Sequence, residues 1–489
     1  MSLPELVVFS VRDSNDARYL SFTGPQRQLR FGPEEGVFSD IAKFAVESAG
    51  DGLVHIRSCY ENNYWARASR PETWLVASAP EKFDDMSKDG CTLFWPRLSA
   101  GNVFVEFIHA QSGMNVVMRP PNDAHAYSLC IEHGAPTEFS LTDFAVVSRT
   151  RLPRYVSFVG DNNKFLSSIK LNENNGYAHF LQYELPSSRE VAFEVLYNKS
   201  GDKLRFKPIS MNDFCCVLVP QTTVFIRPLP EYDPGTLFDA SLSLYSPLNT
   251  TGPGIVLRSL ANNRYCRRSP AINQELTAES NDPNDRNAWL RPMAPSVDRV
   301  NIESYRKAWR GPKSSRIVKL LRIENRSNRV KEWEETVEYS MTTANTYSNS
   351  MSLVRGLAVF KGRIPIVGSN GELEFPNAVT EVNTSWGTPN HIRSDAKQDL
   401  QFKVPPMSIM IATLYVNTAT YEVPFSYEQI DLYLFDVPEV QNLHDGVFKT
   451  ESDYSAPVTY DIQPLTSQGM INAIDDGIEP NASDEVKQE

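Results

Sequence analysis

The chain has 489 residues, of which 41% are hydrophobic and 22% are charged, and its formal net charge is −12. This is the composition of a globular protein with about three domains. The acidic balance argues against nucleic acid as a partner, because phosphate contacts need clustered Lys and Arg. The 33 prolines and the scarcity of long helical patterns favour an all-β chain with many turns.

The chain start, MSLPELVVFSVRD, lacks the basic residues and the long apolar run of a secretory signal. The six cysteines show neither a disulfide framework nor a CxxC pair, so reduced thiols in a cytoplasmic compartment are expected. No apolar run reaches the ~18 residues that a membrane helix needs. We therefore expect a soluble, cytoplasmic protein that enters a membrane only as an oligomeric β-structure.

A repeat runs through the first three hundred residues. An apolar residue is followed eight positions later by an aromatic one at Val11–Tyr19, Ile56–Tyr64, Val147–Tyr155, Phe206–Phe214 and Leu257–Tyr265, and Phe107–Asn115 keeps the spacing alone. A second offset of about 150 residues relates the first three units to the last three. Three such units close into a β-trefoil. The prediction is two tandem β-trefoils, at 1–142 and 143–296, and a pair of sandwich domains with accidental spacing is the alternative.

Two turns of these trefoils mix amides, aromatic rings and guanidinium groups. A sugar needs this mixture, because its C–H surface packs on an aromatic face and its hydroxyls bond to planar amides. The alternative is that the recurring tyrosine belongs to the barrel core. The candidate carbohydrate-binding residues are Asn62, Asn63, Tyr64, Trp65, Arg67 and Trp95 in the first trefoil, and Asn262, Asn263 and Tyr265 in the second.

Residues 1–296 resemble the paired agglutinin domains of the amaranthin-like plant lectins. The resemblance rests on RYLSF from Arg18, RYVSF from Arg154, NNYWAR from Asn62 and the trefoil spacing. It implies a lectin for glycans with terminal GalNAc or Gal–GalNAc, and a dimer in which trefoils of two subunits share the site. The second trefoil has no Trp at the NNYW position, which leaves a degenerate second site open.

The last third follows a different pattern. From Tyr339 to Val354 no side chain is charged, and small hydroxyl residues occupy most even positions, which predicts a strand with one polar face. The tetrapeptide Gly368–Gly371 is a hairpin signal between two arms of a segment at about 348–386. A further long strand follows in 399–425. We expect an elongated β-domain at 297–470 and an acidic, flexible tail at 471–489.

This last domain resembles the pore module of the aerolysin family, including the epsilon-toxin and mosquitocidal-toxin branch. The resemblance lies in the Ser/Thr-rich strands, the amphipathic hairpin between them and a V-P-P strand before a P-F pair. It implies that each protomer of a ring adds the hairpin 348–386 to one barrel, with polar residues facing the lumen. An elongated, solvated β-domain is the alternative. The membrane-insertion residues are Met351, Leu353, Leu357, Val359, Phe360, Ile364, Ile366, Val367, Leu373 and Phe375.

No motif in the chain indicates an enzyme, a metal site or a cofactor. GxSxG, HExxH, a Walker loop and a strand-linked GxGxxG are all missing from the sequence. His125, Cys130 and His133 form the densest group of potential ligands, but their spacing fits no tetrahedral zinc pattern.

The sequence thus predicts a lectin that binds target-cell glycans, oligomerises and permeabilises membranes through a β-barrel, in the manner of a plant defence protein. One alternative is a non-lytic multivalent agglutinin whose C-terminal domain only oligomerises. Another is an intracellular trefoil protein that binds the cytoskeleton, as fascins do.

Overall fold

The computed structural model describes residues 3–465, except for 14–15, 25–26, 70–71, 88–89, 100–103, 173–174, 183–187, 212, 231–232, 244–253, 271–273, 294–296, 351–356 and 432–438. Strands form three large sheets that follow one another along the chain. One α-helix, α1 (Phe144–Val147), and four short 3₁₀ segments are the helical elements of the described residues. No helix in the described part of the chain is long and apolar enough to cross a bilayer.

The first sheet contains twelve strands, and six of them close a barrel. The ring runs β1–β4–β5–β8–β9–β12 and returns to β1, while β2–β3, β6–β7 and β10–β11 are hairpins that cover one end. The strands are β1 (Leu6–Asp13), β2 (Asp16–Thr23), β3 (Gln28–Gly32), β4 (Lys43–Gly50), β5 (Leu53–Ser58), β6 (Tyr64–Arg67), β7 (Leu75–Ala79), β8 (Phe94–Leu98), β9 (Phe104–His109), β10 (Asn115–Met118), β11 (Leu129–Glu132) and β12 (Phe139–Asp143).

The second sheet repeats this plan. Its six-stranded ring runs β13–β16–β17–β20–β21–β24 and returns to β13, with three hairpins at one end. The strands are β13 (Tyr155–Gly160), β14 (Phe165–Asn172), β15 (Asn175–Gln182), β16 (Ala192–Tyr197), β17 (Leu204–Pro208), β18 (Phe214–Val217), β19 (Val224–Arg227), β20 (Phe238–Leu242), β21 (Ile255–Ser259), β22 (Tyr265–Arg268), β23 (Leu276–Ser280) and β24 (Leu290–Met293).

The eight-residue spacing has a structural meaning in five of its six copies, where it joins a barrel strand to the next hairpin strand. The copy at Val147–Tyr155 is wrong, because Val147 lies in α1 and Tyr155 begins a barrel strand. The stretches RYLSF and RYVSF are likewise not equivalent. Arg18 lies in the hairpin strand β2, whereas Arg154 precedes the barrel strand β13.

The third sheet forms the C-terminal domain, and its axis is β34, a strand of 24 residues that is about 80 Å long at the usual rise. Along one edge of β34 lie β25, β26 and β27 in turn, and along the other lie β35 and β36. Its ten strands are β25 (Val297–Tyr305), β26 (Trp309–Arg310), β27 (Ser314–Asn325), β28 (Lys331–Ser348), β29 (Leu357–Gly362), β32 (Thr380–Ser385), β33 (Asn390–Val404), β34 (Ser408–Asp431), β35 (Glu439–Ser455) and β36 (Val458–Pro464). The short strands β30 (Ile366–Val367) and β31 (Leu373–Glu374) form a separate two-stranded sheet.

Strands β28 and β33 pair from Lys331↔Val404 to Asn345↔Asn390, and we call this ribbon the stem. The chain between them, residues 349–389, is called the tongue. In the tongue, β29 pairs with β32 and, in parallel, with β25, while β30 and β31 flank the turn at Gly368–Gly371. If the pairing of the stem continued unchanged into the tongue, Leu357 would lie opposite Ala378. Leu357 instead pairs with Ser385, seven residues further along the chain.

The predicted fold class is confirmed: the chain is all-β, with two β-trefoils followed by an elongated β-domain of the aerolysin-like kind. Each trefoil is organised around its own apolar core, in which the barrel phenylalanines Phe9, Phe107, Phe158 and Phe206 are fully buried. Closure of each barrel leaves few free strand edges.

Candidate functional site

The turn between β5 and β6 brings Asn62, Asn63, Tyr64 and Trp65 together but turns them inward. The exposed fractions are 2% for Asn62 and 0% for Trp65, and Asn63 and Tyr64 between them are also buried. Asn62 adopts a left-handed conformation, with φ of 55°, which asparagine tolerates better than most residues. The tight turn therefore presents its side chains to neighbouring elements and not to solvent.

Trp65 belongs to the core of the first trefoil. Its ring centroid lies 5.5 Å from that of Phe44, 5.6 Å from that of Phe9 and 5.9 Å from that of Phe107. Tilted and edge-on contacts of this kind are typical of packed aromatic clusters. The prediction of Trp65 as a sugar platform is wrong for this arrangement, because no face of the indole is accessible.

Asn62, Asn63 and Tyr64 contact the C-terminal domain. Asn62 Nδ2 donates to the Lys307 carbonyl at 2.7 Å, and Lys307 Nζ donates to Asn63 Oδ1 at 3.1 Å. Trp309 Nε1 donates to Tyr64 Oη at 3.1 Å. These polar groups, predicted to bind a sugar, are occupied by the chain itself. Their structural role here is to join the first trefoil to the C-terminal domain.

Charged groups surround this contact. Tyr64 Oη donates to Glu47 at 3.1 Å, and Glu47 also accepts from Arg57 Nε at 2.8 Å and pairs with Lys82 at 2.7 Å. Burial raises the pKa of Glu47, but the hydrogen bonds from Lys82 and Arg57 outweigh it and lower that pKa overall. Glu47 is therefore ionised at neutral pH. The guanidinium of Arg57 also stacks on Trp309, 4.7 Å from the ring centre.

A cleft of about 860 Å³ opens beside this contact, between the first trefoil and the C-terminal domain. Glu47, Arg57, Lys82 and Trp309 are among its lining residues. Trp95 is 40% exposed, and its ring approaches Gly52, which also lines the cleft. An aromatic ring beside carboxylate and cationic groups offers a sugar both stacking and hydrogen bonding.

The remaining predicted sugar residues lie apart from this cleft or make local contacts. Arg67 Nε donates to the Glu72 carbonyl at 2.7 Å. In the second trefoil, Asn262 Nδ2 donates to the Ala278 carbonyl at 2.8 Å, Asn263 is exposed and Tyr265 is half-buried. Their carbohydrate role stays a prediction. Among the described residues, no group of His, Cys, Asp and Glu has the arrangement of a metal site.

The predicted insertion residues fall into three environments. Phe360 is fully buried, Val359 is half-buried, and Ile366 and Phe375 are 51% and 47% exposed. Met351 and Leu353 lie outside the described residues, and Leu357 is placed in β29 by its backbone alone. Ile364, Val367 and Leu373 pack, partly buried, against the core of the C-terminal domain.

The tongue is docked on the C-terminal domain through its aromatic residues. The ring of Phe360 stacks on Tyr347 at a centroid distance of 4.3 Å and meets Trp386 edge-on at 4.7 Å. Near the turn, Tyr421 Oη donates to the Gly371 carbonyl at 2.7 Å, and Arg310 pairs with Glu372 at 2.7 Å. Leaving this position would expose large apolar rings and break directed polar contacts.

A polar cluster fixes the point where the stem ends and the tongue begins. The Ser350 amide donates to Asp445 Oδ2 at 3.1 Å, and Tyr427 Oη donates to Asp445 Oδ1 at 3.0 Å. Arg151, from the segment between the trefoils, donates to Ser350 Oγ. Burial raises the pKa of Asp445, but Arg151 and the Ser350 hydrogen bonds lower it overall, so this carboxylate is charged.

Asp40 of the first trefoil lies beside the same cluster. Burial and the neighbouring Asp445 charge raise its pKa to about 6, against the opposing effect of Lys43, Arg151 and Arg306. The start of the tongue is thus bonded directly to the segment between the trefoils and is electrostatically coupled to the first trefoil.

Sequence reasoning missed the groups that the C-terminal domain contributes. Lys307 and Trp309 lie in the stretch KAWR, whose mixture of cations and an aromatic ring was a visible signal. Its partner, however, is more than two hundred residues away in the chain, and no period or motif links the two positions.

Comparisons with known proteins bear on the first trefoil. Residues 1–117 match the family model of the Agglutinin domain, which confirms the predicted resemblance there. No curated protein matches the chain significantly. Among solved structures, a mosquitocidal holotoxin is similar with 12% identity and a TM-score of 0.28, over 58% of this chain and 33% of that one. This chain therefore spans about a third of the holotoxin's length, and a similarity this low establishes no common function.

Proposed function

We propose that the protein binds cell-surface glycans through its trefoils and then permeabilises the membrane by inserting the tongue into a shared β-barrel. The observation that carries the proposal is that an agglutinin-type trefoil contacts a β-domain whose two stem strands are joined by a docked amphipathic segment. Glycan binding selects the target cell, and the tongue is the segment that enters its membrane.

The tongue suits this role because its aromatic side chains Phe360 and Trp386 are hidden in the docked form. Phe360 and Trp386 are buried against the C-terminal domain, although the segment itself connects two long paired strands. A barrel allows strands to cross lipid because ring closure pairs every backbone group. Each protomer would contribute one hairpin, and concentration on a glycan-bearing surface would favour ring assembly.

The sugar-binding surface that we propose is the cleft beside Trp95 and Trp309, in place of the covered turn at Asn62. Trp309 lines the cleft, the ring of Trp95 lies against Gly52 of its lining, and Lys82 and Glu47 supply polar groups. GalNAc and Gal–GalNAc are the first glycans to test, because the agglutinin resemblance implies them. The same resemblance suggests a solution dimer and a role in plant defence.

Dye release from liposomes tests the proposal. Purified protein is added to liposomes that are bare or bear a Gal–GalNAc glycolipid, with free GalNAc as competitor and free glucose as the matched sugar control. We expect release only with the glycolipid, blocked by GalNAc alone. Clumping of glycolipid liposomes without release would show a non-lytic agglutinin and refute the barrel. Equal dye release from bare and glycolipid liposomes would refute the lectin step.

A further inference from the structure

A second cleft, of about 1070 Å³, lies between the tongue and β25. It forms because β29 pairs with β25 only from Arg299 to Asn301, after which the chain leaves the strand beyond Gly362. The outer edge of β25 beyond that point is therefore not covered by β29. One side of the cleft is lined by Arg299 and residues 301–307. The other side is lined by Lys361, Gly362, Arg363, Phe375 and Val379.

The walls of this cleft are basic. They carry the cations Arg299, Arg306, Lys307, Lys361 and Arg363 against the single carboxylate Glu303.

Three of these cations already have partners. Arg306 donates to the Tyr60 carbonyl at 2.9 Å, Lys307 reaches the first trefoil, and Lys361 pairs with Glu381 at 3.2 Å. Arg306 and Lys307 bond to neutral oxygens and therefore keep their charge, whereas Lys361 is ion-paired. The guanidinium groups of Arg299 and Arg363 form no ion pair among the described residues, which leaves their charge available to a bound anion.

Arg299 has a guanidinium group that is not saturated by the protein. Its Nε is buried and has no hydrogen-bond partner among the described residues. Because Nε has almost no accessible surface, a ligand oxygen would reach this guanidinium through its Nη atoms. The planar guanidinium group matches the oxygens of a phosphate, which it binds through two parallel hydrogen bonds.

The apolar part of the cleft suits the first acyl carbons of a phospholipid whose phosphate lies against the arginines. Phe375 is 47% exposed and Val379 is 57% exposed, and both line the cleft on the tongue side. The whole chain has a net charge of −12, so an anionic membrane repels it at long range. Binding to such a membrane therefore needs a local basic site of this kind.

We propose that this cleft binds a phosphate group, carried by an anionic phospholipid headgroup or free in solution, through Arg299 and Arg363. The inference rests on the proposed function only in bringing the protein to a membrane. Occupancy would place the headgroup beside the tongue before insertion.

Vesicle sedimentation without any glycolipid tests the site separately from sugar binding and from leakage. The probes are phosphatidylcholine vesicles with and without phosphatidic acid. The variants are Arg299→Gln and Arg363→Gln, and the control is Arg393→Gln, which removes the same charge from an exposed position on β33. We expect each cleft variant to weaken binding to phosphatidic acid vesicles about fivefold and the control to leave it unchanged.

Equal binding by the wild type and both cleft variants would overturn the proposal, as would equal weakening by the control. The second arm uses inorganic phosphate at constant ionic strength. A phosphate-dependent rise in the thermal midpoint of the wild type, reduced in Arg299→Gln, supports the phosphate site. If that rise occurs without binding to phosphatidic acid vesicles, the ligand is free phosphate and the lipid source is rejected.

Discussion

Replacing Trp309 with alanine should loosen the contact between the first trefoil and the C-terminal domain. The change removes the hydrogen bond from Nε1 to Tyr64 Oη, the stacking of Arg57 on the ring and the apolar contact with the cluster of Tyr64, Ala66 and Ala79. At about 1 kcal/mol for the hydrogen bond, about 1 for the cation–π contact and about 1 for the burial lost, the contact weakens by about 3 kcal/mol. This corresponds to about 100-fold in the open population.

Hydrogen exchange of the soluble protein measures this opening. Peptides that cover 58–64 and 305–311 should exchange up to about 100-fold faster in Trp309→Ala at neutral pH. Trp309→Phe is the matched control, because it keeps an aromatic ring for Arg57 and loses the donor with only part of the ring area, and about fivefold faster exchange is expected. Unchanged exchange in Trp309→Ala would refute the reasoning, since the contact would then contribute nothing to docking. Equal acceleration in peptides remote from the contact would show general destabilisation instead.

Three further predictions concern the tongue, the polar cluster and the trefoil core. Asn301 and Lys361 are paired across β25 and β29, so Asn301→Cys with Lys361→Cys should form a disulfide. This disulfide should abolish dye release but not glycolipid-dependent clumping, and the reduced form is the control. Dye release by the oxidised form would mean that β29 can stay paired with β25 during leakage. Because the pKa of Asp40 is raised to about 6 in the folded protein, the folded state binds a proton more tightly than the unfolded state, so this group's contribution to unfolding free energy rises as pH falls from 7 to 5. Chemical denaturation should show a flatter pH dependence in Asp40→Asn than in the wild type, and identical slopes would contradict the coupling. Trp65→Ala should cost about 3–5 kcal/mol of unfolding free energy, measured by the same method, whereas a small loss of stability with a complete loss of glycan binding would restore Trp65 as a sugar residue.

Repetition made the trefoils predictable from the sequence. The spacing from Ile56 to Tyr64 and from Leu257 to Tyr265 is local and recurs, because each unit buries the same strand end in a closed barrel. The period failed at Val147, because this residue lies in α1, in the connection between the two barrels. The alternation in β28 likewise identified a long strand, because side chains of a strand alternate between two faces.

The candidate site was harder to predict, because it depends on contacts between distant parts of the chain. Amides and aromatics at Asn62 and Tyr64 satisfy a sugar and a neighbouring domain equally well, and only the position of Lys307 and Trp309 decides between them. The docking of Phe360 was equally hidden, since an apolar residue suits lipid or a protein core. Residue type alone does not separate these environments.

The shift of register between stem and tongue has a consequence for the reversibility of insertion. A hairpin that continued the stem register would bring Phe360 opposite Phe375 and Trp386 opposite Asn349. Residues that are directly opposite share a face, and a shift by an odd number of positions exchanges the faces of one strand. Phe360 and Trp386, which pack 4.7 Å apart in the docked tongue, would then lie on opposite sides of the barrel wall. If the proposed insertion keeps the stem register, it therefore cannot be a hinge motion that carries an intact packed unit. The contact between Phe360 and Trp386 would have to break before the barrel forms, and the tongue could dock again only after it left that register.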